Sequence, residues 1–309
     1  MFVGEEKMTL KAPVKYVTAA LFKGIAACVA GFMGITIGGM AASSLGISAP
    51  ALPPEFDQSL ILLLYMIVWF SASVITGELF KRMGQNFLER FLCIFLFIYM
   101  IQNFLQTLEQ IIFTTTVSFK FGVVFYLFPS LLISLAVALL WKPANSGSSI
   151  LKEWPVFWGR RPGKSWLWRI AVAWLAYPVI YYAVGSSISR IVAPYYQDPS
   201  LNLGLTLPHW KVIVGMQLIR GLLFLLPVLP VIILWKGKTS SLGIWLGFAI
   251  FVQVATLMLL AYWLPPVLRI THAFELTVDS FLQAFVYAKL LYPGNKIEPV
   301  PPMEQNGSK

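Results

Sequence analysis

The chain has 309 residues, of which 58% are hydrophobic and only 12% charged, about half the charge that a soluble domain carries. With a mean hydropathy of +0.75, one ordinary water-soluble domain is excluded and the lipid bilayer is the expected solvent. The formal net charge of +10 is accompanied by no helix-turn-helix, zinc-finger or RNP pattern, so nucleic acid is not an expected partner. Both cysteines, Cys28 and Cys93, lie in apolar runs. That leaves no disulfide framework and no cysteine-based zinc site.

A helix needs about 20 mostly apolar residues to cross roughly 30 Å of hydrocarbon. Eight stretches meet that requirement: 24–47, 59–80, 91–113, 121–141, 170–192, 211–235, 242–264 and 267–292. They predict an all-α, polytopic integral membrane helix bundle, with one transmembrane domain over 1–292 and a disordered cytoplasmic tail over 293–309. The run Leu264-Pro265-Pro266 separates the last two spans, because consecutive prolines rarely continue a helix. Span one follows Lys7, Lys11 and Lys15 and exceeds the roughly 7–15 apolar residues of a signal-peptide core. It is expected to stay uncleaved. Within it Gly24, Gly31 and Gly38 recur every seven residues, and Gly34 and Gly38 form a small-xxx-small pair. Such a stripe lets another helix approach closely and is a candidate oligomer interface.

Orientation follows from basic residues in alternate loops. Lys7, Lys11, Lys15, Lys81, Arg82, Arg90, Lys142, Lys152, Arg160, Arg161, Lys164, Arg169, Lys236, Lys238, Lys289, Lys296 and Lys309 fall on one side, seventeen in all. The other side has four, Lys120, Arg190, Lys211 and Arg269. Both termini are therefore expected in the cytoplasm. Compact loops and the lack of an external glycosylation triplet suit a bacterial inner membrane; Asn306-Gly307-Ser308 falls in the cytoplasmic tail. Between 152 and 169, Trp154, Trp158, Trp166 and Trp168 alternate with basic residues, a composition suited to the headgroup region. The same loop contains Gly159-Arg160-Arg161-Pro162-Gly163-Lys164-Ser165. This is one residue short of a Walker A loop and lacks a preceding strand, so phosphate cradling is not expected. No internal repeat is visible, and Glu78 beside Lys81 and Arg82 reads as solvated.

Ionisable groups within spans cost about 2.5–3.5 kcal/mol each on insertion scales. Span three nevertheless carries Gln102, Asn103, Gln106, Glu109 and Gln110, within an arc of about 120° on an ideal helix. Span eight carries Arg269, His272, Glu275, Asp279 and Gln283 in a similar arc, and span six adds Gln217 and Arg220. At a rise of about 1.5 Å per residue, Arg220 and Glu275 each lie about 14 Å below the outer end of their spans, hence level with one another. These positions predict a polar cavity between spans three, six and eight, open to the outside, with Arg190, Ser186, Ser187 and Ser189 at its mouth.

The chemistry such a set can support is constrained by what is missing. Only two histidines are present, His209 and His272, so a His-Glu-x-x-His zinc site is excluded and His209 reads as an interfacial residue. A divalent metal on His272, Glu275, Asp279 and Glu109 is compatible with the spacing but not favoured, and no cofactor is expected. The paired-glutamate motif of intramembrane CAAX-type proteases finds only Glu5-Glu6, outside any span, and a Gly-x-Ser-x-Gly elbow is absent. Low dielectric favours the neutral carboxylic acid and a neighbouring arginine favours the anion, which suits Glu109 and Glu275 to acid–base work with His272 as relay. The reading is a membrane protein whose outward-facing site binds or translocates a polar solute, proton or lipid headgroup. Arg220 would recognise an anion, and Glu109, His272, Glu275 and Asp279 would handle cation or proton. Gln102, Gln106, Gln217 and Arg269 would support them. A membrane-embedded hydrolase or transferase acting on an outer-leaflet lipid or peptide is the alternative, and a scaffold subunit of a membrane complex the second.

Overall fold

The computed structural model describes residues 11–50, 57–115, 118–144 and 147–294, without the side chains of 11–15. The expected disorder of the tail concerns residues almost entirely outside that set. Among the described residues ten α-helices follow one another: α1 (Lys11–Ser44), α2 (Gln58–Lys81), α3 (Phe87–Ile98), α4 (Leu105–Phe113), α5 (Phe119–Leu140), α6 (Ile150–Gly159), α7 (Gly163–Gln197), α8 (Trp210–Leu234), α9 (Thr239–Val254) and α10 (Pro266–Leu291). A π-helical turn, Tyr99–Phe104, joins α3 to α4 in one rod, and a 3-10 turn, Ala255–Leu259, extends α9. No strand occurs among the described residues, only two isolated bridges.

Seven rods among the described residues are long and apolar enough to cross a membrane: Tyr16–Ser44, Gln58–Lys81, Phe87–Phe113, Phe119–Leu140, Gly163–Gln197, Trp210–Leu234 and Thr239–Leu259. The protein is a multi-pass membrane helix bundle. The rod expected as an eighth span, α10, has 26 residues, but Arg269, Glu275, Asp279 and Lys289 leave it less apolar than the other seven. It packs along α7 and α9 and gives those polar groups protein neighbours instead of lipid. Large exposed side chains such as Phe22, Met40, Leu88, Val179 and Ile219 cover the outer faces of the rods, where acyl chains replace water.

Helix starts follow the local chemistry. Asp57 caps α2 by accepting from Ser59 N at 2.8 Å, Asn86 caps α3 through Glu89 N at 2.9 Å, and α10 begins with Pro266 in its first turn. The 3-10 turn ends at Leu259 rather than continuing to 264, shortening the expected seventh span. The expected fifth span is longer than its apolar core, 35 residues.

Loop contacts gather at two ends of the bundle. At one, Thr115 N donates to Gly204 O and Thr206 N to Phe113 O, while Asp57 meets Tyr262. At the other, Ser148 N donates to Gly84 O, Lys236 Nζ to Ser148 Oγ, and Tyr292 OH to Gly237 O. The basic residues concentrate at this second end. There the expected loop between spans four and five contains the helix α6, and its arginines serve the bundle itself. Arg161 donates to Leu290 O at 2.8 Å and to Tyr292 O at 3.3 Å, and Arg169 donates to Leu290 O at 3.1 Å, so cations cap the carbonyl end of α10.

Two expectations need correction. Glu78 is not simply solvated: its Oε1 accepts from Trp141 Nε1 at 3.1 Å and Oε2 lies 3.7 Å from Lys81 Nζ. The glycine stripe of α1, considered as an oligomer interface, is occupied within the chain. A Cβ on Gly34 would fall 2.3 Å from Pro129 Cα and one on Gly38 2.4 Å from Phe125 O, both on α5, while Gly24 and Gly31 face Phe70 and Trp69 of α2. Close backbone packing of α1 on α5 is what these glycines permit.

Replacing Gly34 by Leu should drive α1 from α5 and destabilise the detergent-solubilised protein by about 1–3 kcal/mol. Gly39→Ala, whose added Cβ meets nothing within 4 Å, should leave the thermal unfolding midpoint unchanged.

Candidate functional site

The deepest commitment of charge is at Arg220, on the face of α8 turned to α4 and α7. Its side chain is 2% exposed, and Nη2 lies 2.7 Å from Glu109 Oε2 on α4. Nη1 donates to Gln217 Oε1 at 2.9 Å, one turn earlier on the same helix, and the guanidinium sits 5.5 Å from the centre of the Tyr177 ring on α7. The guanidinium is thus neutralised by one carboxylate and stacked near one aromatic face, as desolvated arginine requires. Its Nε and the Nε2 of Gln217 are buried without a partner among the described residues. The carboxylate that pairs with Arg220 is thus Glu109 of α4, and Glu275 pairs elsewhere.

Glu275 takes a partner on its own helix. His272 Nδ1 lies 2.7 Å from Glu275 Oε2, and His272 Nε2 lies 3.1 Å from the hydroxyl of Tyr196 near the end of α7. With the ring neutral, Nδ1–H donates to the carboxylate and Nε2 accepts from the phenol. With the ring protonated, both nitrogens donate. A proton received at Nε2 can therefore leave from Nδ1 to the carboxylate, the elementary step of an imidazole relay. Glu275 is held against the backbone of α7, since a Cβ on Gly185 would lie 3.1 Å from its Oε1.

Between these two clusters lies a constricted cavity. Its polar lining comes from Gln106 and Glu109 on α4, Tyr177 and Tyr181 on α7, Arg220 on α8, and Asp279, Ser280 and Gln283 on α10. About 30 Å³ is open to the centres of water molecules, room for roughly two. Asp279 lies within electrostatic reach of Glu275, Glu109 and Arg220, yet its Oδ1 is buried without a hydrogen-bond partner among the described residues. Gln283 donates to Tyr287 OH at 2.6 Å, one turn further along α10.

The remaining expected members are not in this lining. The π turn inserts an extra residue into span three and rotates the rest of that rod by about 100°. Gln102 consequently faces the bundle interior at 3% exposure with Nε2 unpartnered, Asn103 donates to Ser130 Oγ at 2.8 Å, and Gln110 is exposed. Arg269 is half-buried with Nε unpartnered. Arg190 is exposed, and Ser186, Ser187 and Ser189 each return their hydroxyl to the carbonyl three residues earlier. His209 caps α8, accepting from Lys211 N at 3.3 Å. As for metal, no three His, Cys, Asp or Glu side chains converge among the described residues. The four residues weighed as ligands are divided, with Glu109 on arginine and His272 on Glu275.

Sequence reasoning found the helix α7 but missed its tyrosines as members of the site. Tyr177, Tyr181 and Gly185 follow at i, i+4 and i+8, and Tyr196 falls on the same side of the helix, whereas Ser186, Ser187 and Arg190 project elsewhere. That tyrosine–glycine stripe was the available signal.

No protein-family model matches the chain, and no curated protein or solved structure matches it either.

Removing the carboxylate from Glu109 leaves Arg220 buried and uncompensated. Glu109→Gln should lower stability by about 3–5 kcal/mol, read as the unfolding midpoint in detergent. Adding Arg220→Met to that variant should restore most of the loss, because the double replacement removes the unpaired charge.

Proposed function

We propose that the chain is an eight-span protein of the bacterial cytoplasmic membrane, with both termini in the cytoplasm, whose outward-facing polar site binds and translocates a proton or a small polar solute. The basic residues at one end of the bundle support that orientation by the positive-inside rule. Under it, Tyr196 and the start of α10 face the exterior. The observation that carries the reading is the chain Tyr196, His272, Glu275, with links of 3.1 and 2.7 Å, beside a cavity lined by Glu109, Arg220 and Asp279.

In mechanism, the tyrosine and imidazole pass a proton from the outer end to Glu275, and the cavity receives it or the solute that accompanies it. Glu109 holds Arg220 in place, and Gln217 fixes the second arm of the fork. The cavity has space for about two waters, and separation of α4, α8 and α10 around a bound ligand would supply the alternating access that translocation requires. The relay also favours translocation over nucleophilic chemistry. Both ring nitrogens of His272 are engaged, by a carboxylate and a phenol, and neither meets a serine, threonine or cysteine among the described residues.

The experiment is reconstitution of the full chain in vesicles loaded with a pH-reporting dye, with a panel of amino acids, sugars and organic acids added outside. The wild type should produce a pH change on its own or with a member of the panel. Glu275→Gln keeps an acceptor for His272 but cannot take a proton, and it should abolish the signal with the unfolding midpoint unchanged. Release of lipid or peptide cleavage products, without any pH change, would favour the hydrolase reading instead.

A further inference from the structure

The charges around the cavity do not balance, and the imbalance names a ligand class. Its lining holds one cation among the described residues, Arg220, and two carboxylates, Glu109 and Asp279. Arg220 is consumed by Glu109 at 2.7 Å, and Gln217 and Tyr177 occupy two further sides of its guanidinium. Asp279 is left over. Its Oδ1 is buried without a partner, although an unpaired carboxylate is among the costliest groups to keep in an apolar interior. The groups facing it come from four helices, and the 3-10 turn Ala255–Leu259 that also packs on α10 has no charged side chain. Glu109 comes from α4, Arg220 from α8, Tyr177 and Tyr181 from α7, and Glu275 from its own helix, while α9 presents only Ile250 and Val254. None of these is a free cation.

We infer that the cavity is a site for one small monovalent cation at Asp279, and that Arg220 is a structural counter-charge rather than an anion receptor. The inference rests on the transport reading for its purpose but not for its chemistry. The other oxygen-bearing side chains of the lining, Gln106, Tyr181, Ser280 and Gln283, are neutral, and Ser280 Oγ gives its proton to Leu276 O at 2.6 Å, leaving lone pairs for a ligand. One carboxylate among neutral oxygens is the donor set of hard, singly charged ions rather than of transition metals. The space open to the centres of water molecules, about 30 Å³, is room enough for a hydronium or a bare alkali ion. The sequence-level assignment of Arg220 to an anion is replaced by this one.

The test uses the purified full chain in detergent, with the thermal midpoint followed in choline, lithium, sodium and potassium chloride at fixed ionic strength from pH 5 to pH 9. If the cation is an alkali ion, sodium or lithium should raise the midpoint by several degrees over choline, saturably, most strongly at high pH. If it is a proton, all four salts should behave alike and the midpoint should fall with rising pH with a one-proton slope. Asp279→Asn should erase whichever dependence the wild type has and raise the midpoint in choline at pH 9, because it removes the unpaired charge. A wild type insensitive to both pH and alkali ions, or one stabilised by phosphate or sulfate over chloride, overturns the inference even if Asp279→Asn fails to fold. So does an Asp279→Asn protein that keeps the wild-type dependence. Cation-dependent stability with no flux in vesicles would refute the transport reading and keep the site; flux without any cation or pH dependence of stability would do the reverse.

Discussion

A guanidinium at 2% exposure inside an apolar bundle has to be neutralised where it stands, and Arg220 is neutralised by Glu109 across the α4–α8 contact. Three consequences stem from that pair. It requires α4 and α8 to meet at this level, it uses up the one cation described in the cavity lining, and it leaves Asp279 without a counter-charge. Desolvating the two partners costs several kcal/mol each, and apolar replacements of similar shape are often as stable. Packing alone is therefore a weak reason for the pair, and its position against a water-sized cavity supplies a stronger one.

The opposite wall is set by α7. The stripe of Tyr177, Tyr181 and Gly185 gives the cavity two phenols and then a gap in which Glu275 approaches the helix backbone. Further along, Tyr196 closes on His272. The same helix binds the other end of the bundle through Arg169, which donates to the carbonyl of Leu290 on α10, so α10 is tied to α7 at both ends. A helix carrying Arg269, His272, Glu275 and Asp279 is the least comfortable of all in lipid, and its polar groups are accommodated by α7 on one side and α9 on the other.

Much of this was legible in the sequence. Apolar run lengths located every long rod to within a few residues at most ends, since a bilayer imposes length directly. The failures have local causes. Pro265 and Pro266, read as a separator, sit at the start of α10, and span seven falls short of them because its end is the 3-10 turn Ala255–Leu259; α6 was hidden in a loop whose tryptophans and arginines dominate its composition. At the site, the projection of span three assumed an unbroken 3.6-residue repeat, so the π turn at Tyr99–Phe104 sent Gln102 and Asn103 to other neighbours while Gln106 and Glu109 kept the cavity face. Charge drew attention to Arg190 and away from the tyrosines of α7. The partner of Glu109 was beyond the sequence, because nothing in the chain around it says which helix it faces, whereas His272 stands three residues before Glu275 on the same helix.

The central claim is that the polar groups of α4, α7, α8 and α10 share a cavity reached by water from the end of the bundle opposite the basic loops. The most direct measurement is thiol accessibility in intact cells and inverted vesicles, starting from a chain in which the buried cysteines Cys28 and Cys93 are replaced. A single Ser280→Cys substitution in the cavity lining should react with a small, membrane-impermeant thiol reagent applied outside, while Val179→Cys on the lipid-facing side of α7 should not. Reaction of Ser280→Cys only when the cytoplasmic face is presented, or reactivity equal to that of Val179→Cys from both sides, would contradict that claim.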